Sequence, residues 1–241
     1  MKPVLLAGLA MAATCFAPIA VAQKSERVVV TGSMITRDGS DMPYVSLRVP
    51  AEFVIFLIEL ETGTRGEEDR ARELERTYTT LVQRVSRTPG VAIEAGDAYE
   101  SAPIETTAVR EIILQDEEDE QRSEIRLVLT MPVRPGDTFA VVRTRAEQMI
   151  GQVQPSGRVE IVIGDTQYIG VSDPKKHREA LLRQIAGDTE LLQSLFGRGA
   201  TGPAAISLSG LERRVQSRPV GPLELEMYVN YEMALVQAPR N

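Results

Sequence analysis

The sequence predicts an α+β fold, a mainly antiparallel sheet of about seven strands covered by three helices, in the order β-α-β-β-β-α-β-α-β-β. Segments with apolar residues at every second position are typical of half-buried strands, and three segments repeat apolar residues at helical spacing. Short polar turns join consecutive strands and pair them antiparallel. Because the helices must cover an apolar sheet face, we expect one α+β domain over residues 44–237.

The domain begins with residues 44–61, whose β-branched and aromatic side chains predict one long strand with a kink at Pro50, since proline cannot donate to a ladder. Helix 1 follows over residues 66–87 and ends at the Thr-Pro-Gly sequence of residues 88–90. Its first turn is acidic, as the helix dipole favours, and its apolar residues form one stripe. The stripe consists of Leu74, Tyr78, Leu81, Val82 and Val85.

Three strands are predicted next, over residues 91–95, 109–114 and 124–131. In the third, alternating apolar residues give the strand one buried face and one polar face. An acidic run at residues 116–120 joins the last two strands, and we interpret it as a solvated hairpin tip. It lacks the glycine turn of a calcium loop, so it does not predict a metal site.

Two more helices follow. Helix 2 is predicted over residues 138–153 with Asp137 as its N-cap, and a short strand over residues 159–163 comes after it. Helix 3 is predicted over residues 174–196 with Asp173 as its N-cap. A proline in the first helical position directly after such a cap is a favoured pair, so this helix start is well defined.

The chain closes with two predicted strands, residues 204–211 and residues 223–236. The second alternates without interruption between an apolar and a polar face and is long for a strand, so we expect it to cross the centre of the sheet. Its apolar face consists of Leu223, Leu225, Met227, Val229, Tyr231, Met233 and Leu235.

Residues 1–22 have the pattern of a cleavable signal peptide: an early lysine, an uncharged apolar stretch and a final Ala-Val-Ala. We expect cleavage after Ala22 and a periplasmic protein. The alternatives are a membrane anchor, which Pro18 and the Ala-Val-Ala ending disfavour, and a lipoprotein, whose sequence pattern is missing before Cys15. Since Cys15 is the only cysteine, the mature chain would contain neither a thiol nor a disulfide.

The composition favours some partners over others. The formal net charge is −7, acidic and basic residues are interspersed, and there is no tryptophan. Without a basic stripe, the sequence predicts no nucleic-acid partner. No second segment is long and apolar enough to span a bilayer, so we expect no transmembrane span after signal cleavage.

Val-Ser-Asp-Pro at residues 171–174 opens a helix rich in Lys, Arg, Glu and Ala, and an alternating strand closes the chain. In these features, and in its order of elements over residues 44–236, the chain resembles the SIMPL-domain family of exported bacterial proteins. The resemblance implies a non-enzymatic periplasmic or envelope protein. Members are associated with oxidative-stress tolerance and with outer-membrane antigens, and some assemble into rings. No catalytic residue comes with the family.

Residues 23–43 separate the signal peptide from the domain, and we expect them to be flexible. Within them, Val-Val-Val-Thr-Gly-Ser-Met-Ile is similar to the TonB box of TonB-dependent outer-membrane receptors. That resemblance implies a TonB-like periplasmic partner, bound by pairing of an extended strand with a sheet edge. The alternative is a disordered or locally paired N-terminus. The candidate partner-binding residues are Val28, Val29, Val30, Thr31, Gly32 and Ile35.

No residue pattern identifies a reaction. Nucleophile-elbow, zinc-protease and phosphate-loop motifs do not occur, so the sequence predicts no catalytic residue, metal ligand or cofactor. The only histidine, His177, lies between two cations in the first turn of helix 3, which favours a surface position. Glu224 and Glu226 share one strand face, which we expect to be solvent-exposed. An enzyme with an unrecognised carboxylate site is the remaining alternative.

The first strand predicts self-association. Residues 53–58 are apolar without a break, so both faces of that strand are apolar. Three helices are too few to cover both faces of such a sheet. We therefore expect a homo-oligomer whose interface is the uncovered face. Two lobes that fold against each other within one chain would bury the same face and are the alternative.

Overall fold

The computed structural model of the chain describes residues 28–31, 45–115, 121–199 and 202–237. Within these ranges there are three α-helices and three antiparallel sheets, of seven, three and three strands. The predicted α+β class is confirmed. The strands do not form one sheet, however, because two of the long predicted strands each contribute to two sheets.

In chain order, the elements are β1 (Val28–Thr31), β2 (Ser46–Pro50), β3 (Phe53–Thr62), α1 (Glu67–Ser86), β4 (Ala92–Gly96), β5 (Ser101–Ala102), a 3₁₀ helix (Thr106–Ile112), β6 (Leu114–Gln115), β7 (Ser123–Pro132), α2 (Phe139–Ile150), β8 (Glu160–Val171), a second 3₁₀ helix (Pro174–His177), α3 (Arg178–Phe196), β9 (Arg198–Gly199), β10 (Gly202–Ser209), β11 (Val215–Gly221), β12 (Glu224–Val229) and β13 (Glu232–Gln237). The large sheet has the order β1-β8-β3-β7-β4-β5, with β6 also paired to β7. The smaller sheets have the orders β11-β12-β2 and β13-β10-β9.

The prediction of one strand over residues 44–61 is wrong. β2 ends at Pro50, and β3 begins three residues later in a different sheet. The backbone amide of Ala51 donates to the carbonyl of Leu223 (2.9 Å), whereas that of Glu52 donates to the carbonyl of Gly170 (2.9 Å). The chain therefore changes sheets at the residues that follow the proline, where a continuous ladder would have lost a donor.

The prediction of one strand over residues 223–236 is also wrong. β12 ends at Val229 and pairs with β2 and β11, while β13 begins at Glu232 and pairs with β10. The apolar alternation continues across the break, so the sequence pattern does not reveal it. The predicted buried face is confirmed in β12, where Leu225, Met227 and Val229 are completely buried.

Residues 109–114 were predicted as a strand, and this is wrong. Most of that segment lies in the first 3₁₀ helix, and only the two residues of β6 pair with β7. The segment packs on α1: Val109 is completely buried, and the hydroxyl of Tyr78 donates to the carbonyl of Ile104 (3.0 Å). The acidic run at residues 116–120 lies outside the described residues.

The three predicted helices are present, with one change of cap. The hydroxyl of Thr138 accepts the amide of Val141 (3.4 Å) and is the N-cap of α2. Asp137, which we predicted as the cap, instead accepts the amide of Arg134 (2.8 Å) and pairs with Arg145 (2.8 Å). Asp173 caps as predicted, although it caps the 3₁₀ turn that leads into α3.

β8 is longer than the predicted strand over residues 159–163. It continues to Val171 through an irregularity in its pairing with β3, where Ile58 lies opposite Ile163 but Phe56 lies opposite Gln167. Residues 164–166 are therefore a bulge opposite Leu57. Such a bulge interrupts the ladder and bends the strand, which divides β8 into two lengths.

One apolar core joins the large sheet to the sheet of β2, β11 and β12. α1 and α2 pack on the face of β3 that carries Val54, Phe56, Ile58 and Leu60, all of them completely buried. The completely buried residues of β12 belong to the same cluster. The two sheets are therefore parts of one folding unit.

The opposite face of β3 is also buried within the chain. Phe53 and Ile55 are at most 5% exposed and pack with Val128 of β7 and with Ala98, which lies in the turn between β4 and β5. This turn folds over the face that we expected to be uncovered. Most of the exposed large apolar side chains of the described residues lie elsewhere, on α3 and β13, although Tyr99 of this turn is exposed as well.

Candidate interaction surfaces

Four of the six candidate partner-binding residues form β1, a strand of the protein's own large sheet. β1 pairs antiparallel with the end of β8, so that Val28 lies opposite Val171 and Thr31 opposite Tyr168. Gly32 lies outside the described residues, as does Ile35. The stretch therefore has the strand conformation that β-augmentation requires, and it is used within the chain.

The hydrogen bonds of β8 show which of its backbone groups face β1. Because the carbonyl of Gly170 accepts the amide of Glu52, Gly170 directs its backbone groups towards β3. Successive residues of a strand direct these groups to opposite sides. Ile169 and Val171 therefore direct theirs towards β1.

The same register assigns the backbone groups of β1. Val28 and Val30 lie opposite Val171 and Ile169, so they form the hydrogen-bonded pairs with β8. Val29 and Thr31 direct their amides and carbonyls away from the sheet. β1 thus has an inner edge that bonds to β8 and an outer edge with which no strand of the described residues pairs, although β11 lies close to β1.

The backbone pairing of β1 is weak in free energy. Two hydrogen-bonded pairs supply about four backbone bonds, each worth a net contribution of about 1 kcal/mol. Ordering the backbone of a residue costs about 1–2 kcal/mol, which amounts to about 4–8 kcal/mol for this strand. The hydrogen bonds therefore do not by themselves exceed the cost of ordering, and the attachment of β1 depends also on packing.

A second surface, which we call the apolar arm, combines the C-terminal half of α3 with β13. In the first half of α3 the side chains of Leu181 and Ile185 are buried. Apolar side chains in its second half are exposed, up to 63% for Leu195. The side chain of Gln193 accepts the amide of Ile206 (3.0 Å), which attaches α3 to β10, the strand that pairs with β13. The arm consists of Leu191, Leu195, Phe196, Leu235 and Val236.

The outer edge of β13 is unprotected. Within the described residues β13 pairs only with β10. Natural edges are commonly blocked by charges or proline, and residues 233–237 contain neither. The one charged residue of the strand, Glu232, lies at its start and is 3.7 Å from Arg213. An exposed, uncharged edge among apolar side chains is a template for another strand.

The candidate carboxylates are placed differently from each other. Glu224 is exposed as expected, but Glu226 is only 6% exposed, because β12 is the central strand of its sheet. The hydroxyl of Ser46 donates to Glu226 (2.6 Å), and Arg218 forms an ion pair with it. Burial would raise the pKa of Glu226, but these two hydrogen bonds outweigh it and hold the pKa below its ordinary value. Glu226 is therefore a charged structural group.

His177 is half-buried where the chain enters α3. Burial, followed by the charge of Lys176, lowers the pKa of this histidine, and Glu52 and Asp173 act in the opposite direction. Glu52 accepts the amide of Ser172 (2.9 Å) and pairs with Lys176. These contacts attach the turn that leads into α3 to the junction between β2 and β3.

The described residues contain no group of three or more histidine, cysteine, aspartate or glutamate side chains that could hold a metal ion. In the same part of the chain, no helix is both long and apolar enough to cross a membrane.

No known relative identifies this chain. A comparison with protein families finds no match, and neither does a comparison with curated proteins or with solved structures. The resemblances to the SIMPL family and to the TonB box therefore stay predictions. The two surfaces, β1 with its acceptor edge and the apolar arm, are the observations on which a function can be proposed.

Proposed function

We propose that the protein is a periplasmic envelope protein of the SIMPL type that acts by self-assembly, in envelope or oxidative-stress tolerance. The observation that carries this proposal is the apolar arm. Two of its exposed side chains, Leu235 and Val236, lie on β13, whose outer edge is uncharged and, within the described residues, unpaired. A cluster of exposed apolar side chains beside an open edge is typical of a protein–protein interface.

A second copy of the chain is the occupant that fits this surface. An edge strand can pair antiparallel with itself about a twofold axis, because each copy then presents the same patch to the other. The ribbons of β10 and β13 from the two copies would form one continuous sheet. Leu235 and Val236 of both copies would lie near its centre, on opposite faces, where each would contact cross-strand neighbours from the other copy.

The oligomeric state tests this proposal. The substitution V236K places a lysine on the outer edge strand, which is a common natural protection against edge pairing. We expect the unmodified mature protein to have at least twice the mass of one chain in light scattering at micromolar concentration. V236K should have the mass of a single chain.

The control is V141K. Val141 lies on α2, outside the arm, and is 48% exposed, the same fraction as Val236. V141K should keep the mass of the unmodified protein. A mass of one chain for the unmodified protein, or an equal loss of mass in both variants, would contradict assembly through the arm.

A second candidate function is that of an adaptor recruited by a TonB-like periplasmic protein. The outward-facing backbone groups of Val29 and Thr31 favour it, because a partner strand could pair with them while β1 stays on β8. Deleting residues 27–37 should then abolish capture by a TonB C-terminal domain, whereas V236K should be captured normally. Undiminished capture of the deletion variant would rule the adaptor out.

A further inference from the structure

We propose that β1 is exchanged between copies: the edge of β8 at residues 168–171 accepts the Val28–Thr31 segment of a second copy in place of its own. This inference rests on the proposed self-assembly, which brings the copies together. It assigns a strand-acceptor site to β8 and gives its ligand, an extended valine-rich segment of the same protein.

The acceptor has a definite length. At one end it is limited by the bulge at residues 164–166, where the regular ladder with β3 is interrupted. At the other end β8 stops at Val171, directly before the turn that opens α3. Of the five intervening residues, 168–171 pair with β1 residue for residue, and Ile169 and Val171 supply the backbone groups that face it.

Exchange changes few contacts. The segment from a second copy would form the same hydrogen bonds with β8 as the segment of the same chain, which is why swapping identical elements is a low-cost route to association. Residues 32–44 connect β1 to the domain. A connection of that length can extend to about 45 Å, more than the diameter of a small domain.

Exchange also requires that a second copy be held close to β8, and assembly through the apolar arm would hold it there. In a free monomer the segment of the same chain is always nearer to β8 than that of another molecule. When copies are held together, the local concentration of the second segment rises into the range where it competes. Exchange should therefore require an intact arm, so a substitution in the arm can be used as the control.

Cysteine cross-linking tests the exchange, because the only native cysteine, Cys15, lies in the predicted signal peptide. Thr31 and Tyr168 are directly opposite each other, in a pair without hydrogen bonds whose Cα atoms are about 4.5 Å apart, within the range of a disulfide. The double variant T31C/Y168C should close a disulfide within one chain. A mixture of the single variants T31C and Y168C can form this disulfide only between copies.

We expect the mixture of T31C and Y168C to form at least about tenfold more disulfide-linked dimer than a mixture of V141C and Y168C, which reports random collision. Adding V236K to both chains should remove the excess. If the unmodified protein is oligomeric but shows no excess, the exchange is wrong and the assembly stands. If its mass is that of one chain, the assembly is wrong. Failure of T31C/Y168C to close would overturn the acceptor site itself.

Discussion

At the scale of single residues, three glutamates that are partly or fully buried have pKa values below the ordinary value. Glu73 shows the pattern clearly: burial would raise its pKa, but hydrogen bonds from Thr64 (2.8 Å) and Thr62 (3.0 Å) outweigh burial and lower it. Glu52 and Glu226 have lowered pKa values for the same kind of reason. Each of these side chains ties two or more elements together.

These lowered pKa values predict a loss of stability in acid. A carboxylate whose pKa is lower in the folded than in the unfolded chain stabilises the fold above its unfolded pKa, about 4.3 for glutamate, and loses that contribution as the pH falls towards the folded pKa. The melting temperature should therefore fall as the pH is lowered below about 4.3. The variant E226Q should melt at a lower temperature than the unmodified protein at neutral pH, and the difference should shrink in acid. A difference independent of pH would contradict the assigned role of Glu226.

A second residue-scale prediction concerns the two faces of β12. Met227 is completely buried, so M227D should destabilise the protein by about 3 kcal/mol, because an unpaired charge would enter the core. Glu224 is exposed, and E224K should change the stability by less than about 0.5 kcal/mol. Thermal unfolding measures both changes, and equal melting temperatures for the two variants would show that the faces are assigned wrongly.

The sequence pattern could place Met227 inside but could not place Glu226. Alternation tells which residues share a face of a strand, and it does not tell whether that face is covered. The cover depends on Ser46 and Arg218, which come from distant parts of the chain and meet Glu226 only in the folded sheet. The candidate site was predictable to the same extent: the extended conformation of residues 28–31 follows from their valines, whereas their partner on β8 does not.

At the scale of elements, helices were predicted well and long strands poorly. The helices have a period of their own that the sequence shows, and α1 lies within one residue of its predicted bounds. The sheet to which a strand belongs depends on the strands that pair with it. A change of sheet after Pro50 or after Val229 therefore leaves the apolar alternation of the sequence intact. The 3₁₀ helix at Thr106–Ile112 was missed because its few apolar residues serve to cover α1 and have no clear period.

The assignment of backbone groups in β1 leads to an element-scale prediction. Val30 bonds to β8 and Val29 points outward, so V30P should release the strand while V29P should leave it in place. In hydrogen-exchange measurements the amides of Ile169 and Val171 should lose protection by at least about tenfold in V30P. V29P is the matched control and should retain that protection. Equal effects of the two prolines would contradict the register.

At the scale of the whole molecule, the large sheet and the sheet of β2, β11 and β12 share one body because their apolar residues meet in a common cluster. Leu225 and Val229 of β12 belong to the same core as Phe56 and Leu60 of β3. The turn that carries Ala98 closes the other face of β3, so the large sheet needs no partner to bury it. The exposed side chains of the apolar arm are not covered by this body, and they are the surface that we propose for association.

The bulge in β8 also bears on how the protein resists fibre formation. It divides an otherwise long sheet edge into two short lengths, neither of which offers a flat template. One length begins with the exposed Glu160, and the bulge itself carries Asp165, 3.0 Å from Arg143. The other length, at the end of β8, is paired with β1. A protease that removed the N-terminal strand would expose a bare, apolar ladder, and the trimmed chains would stack edge to edge into aggregates.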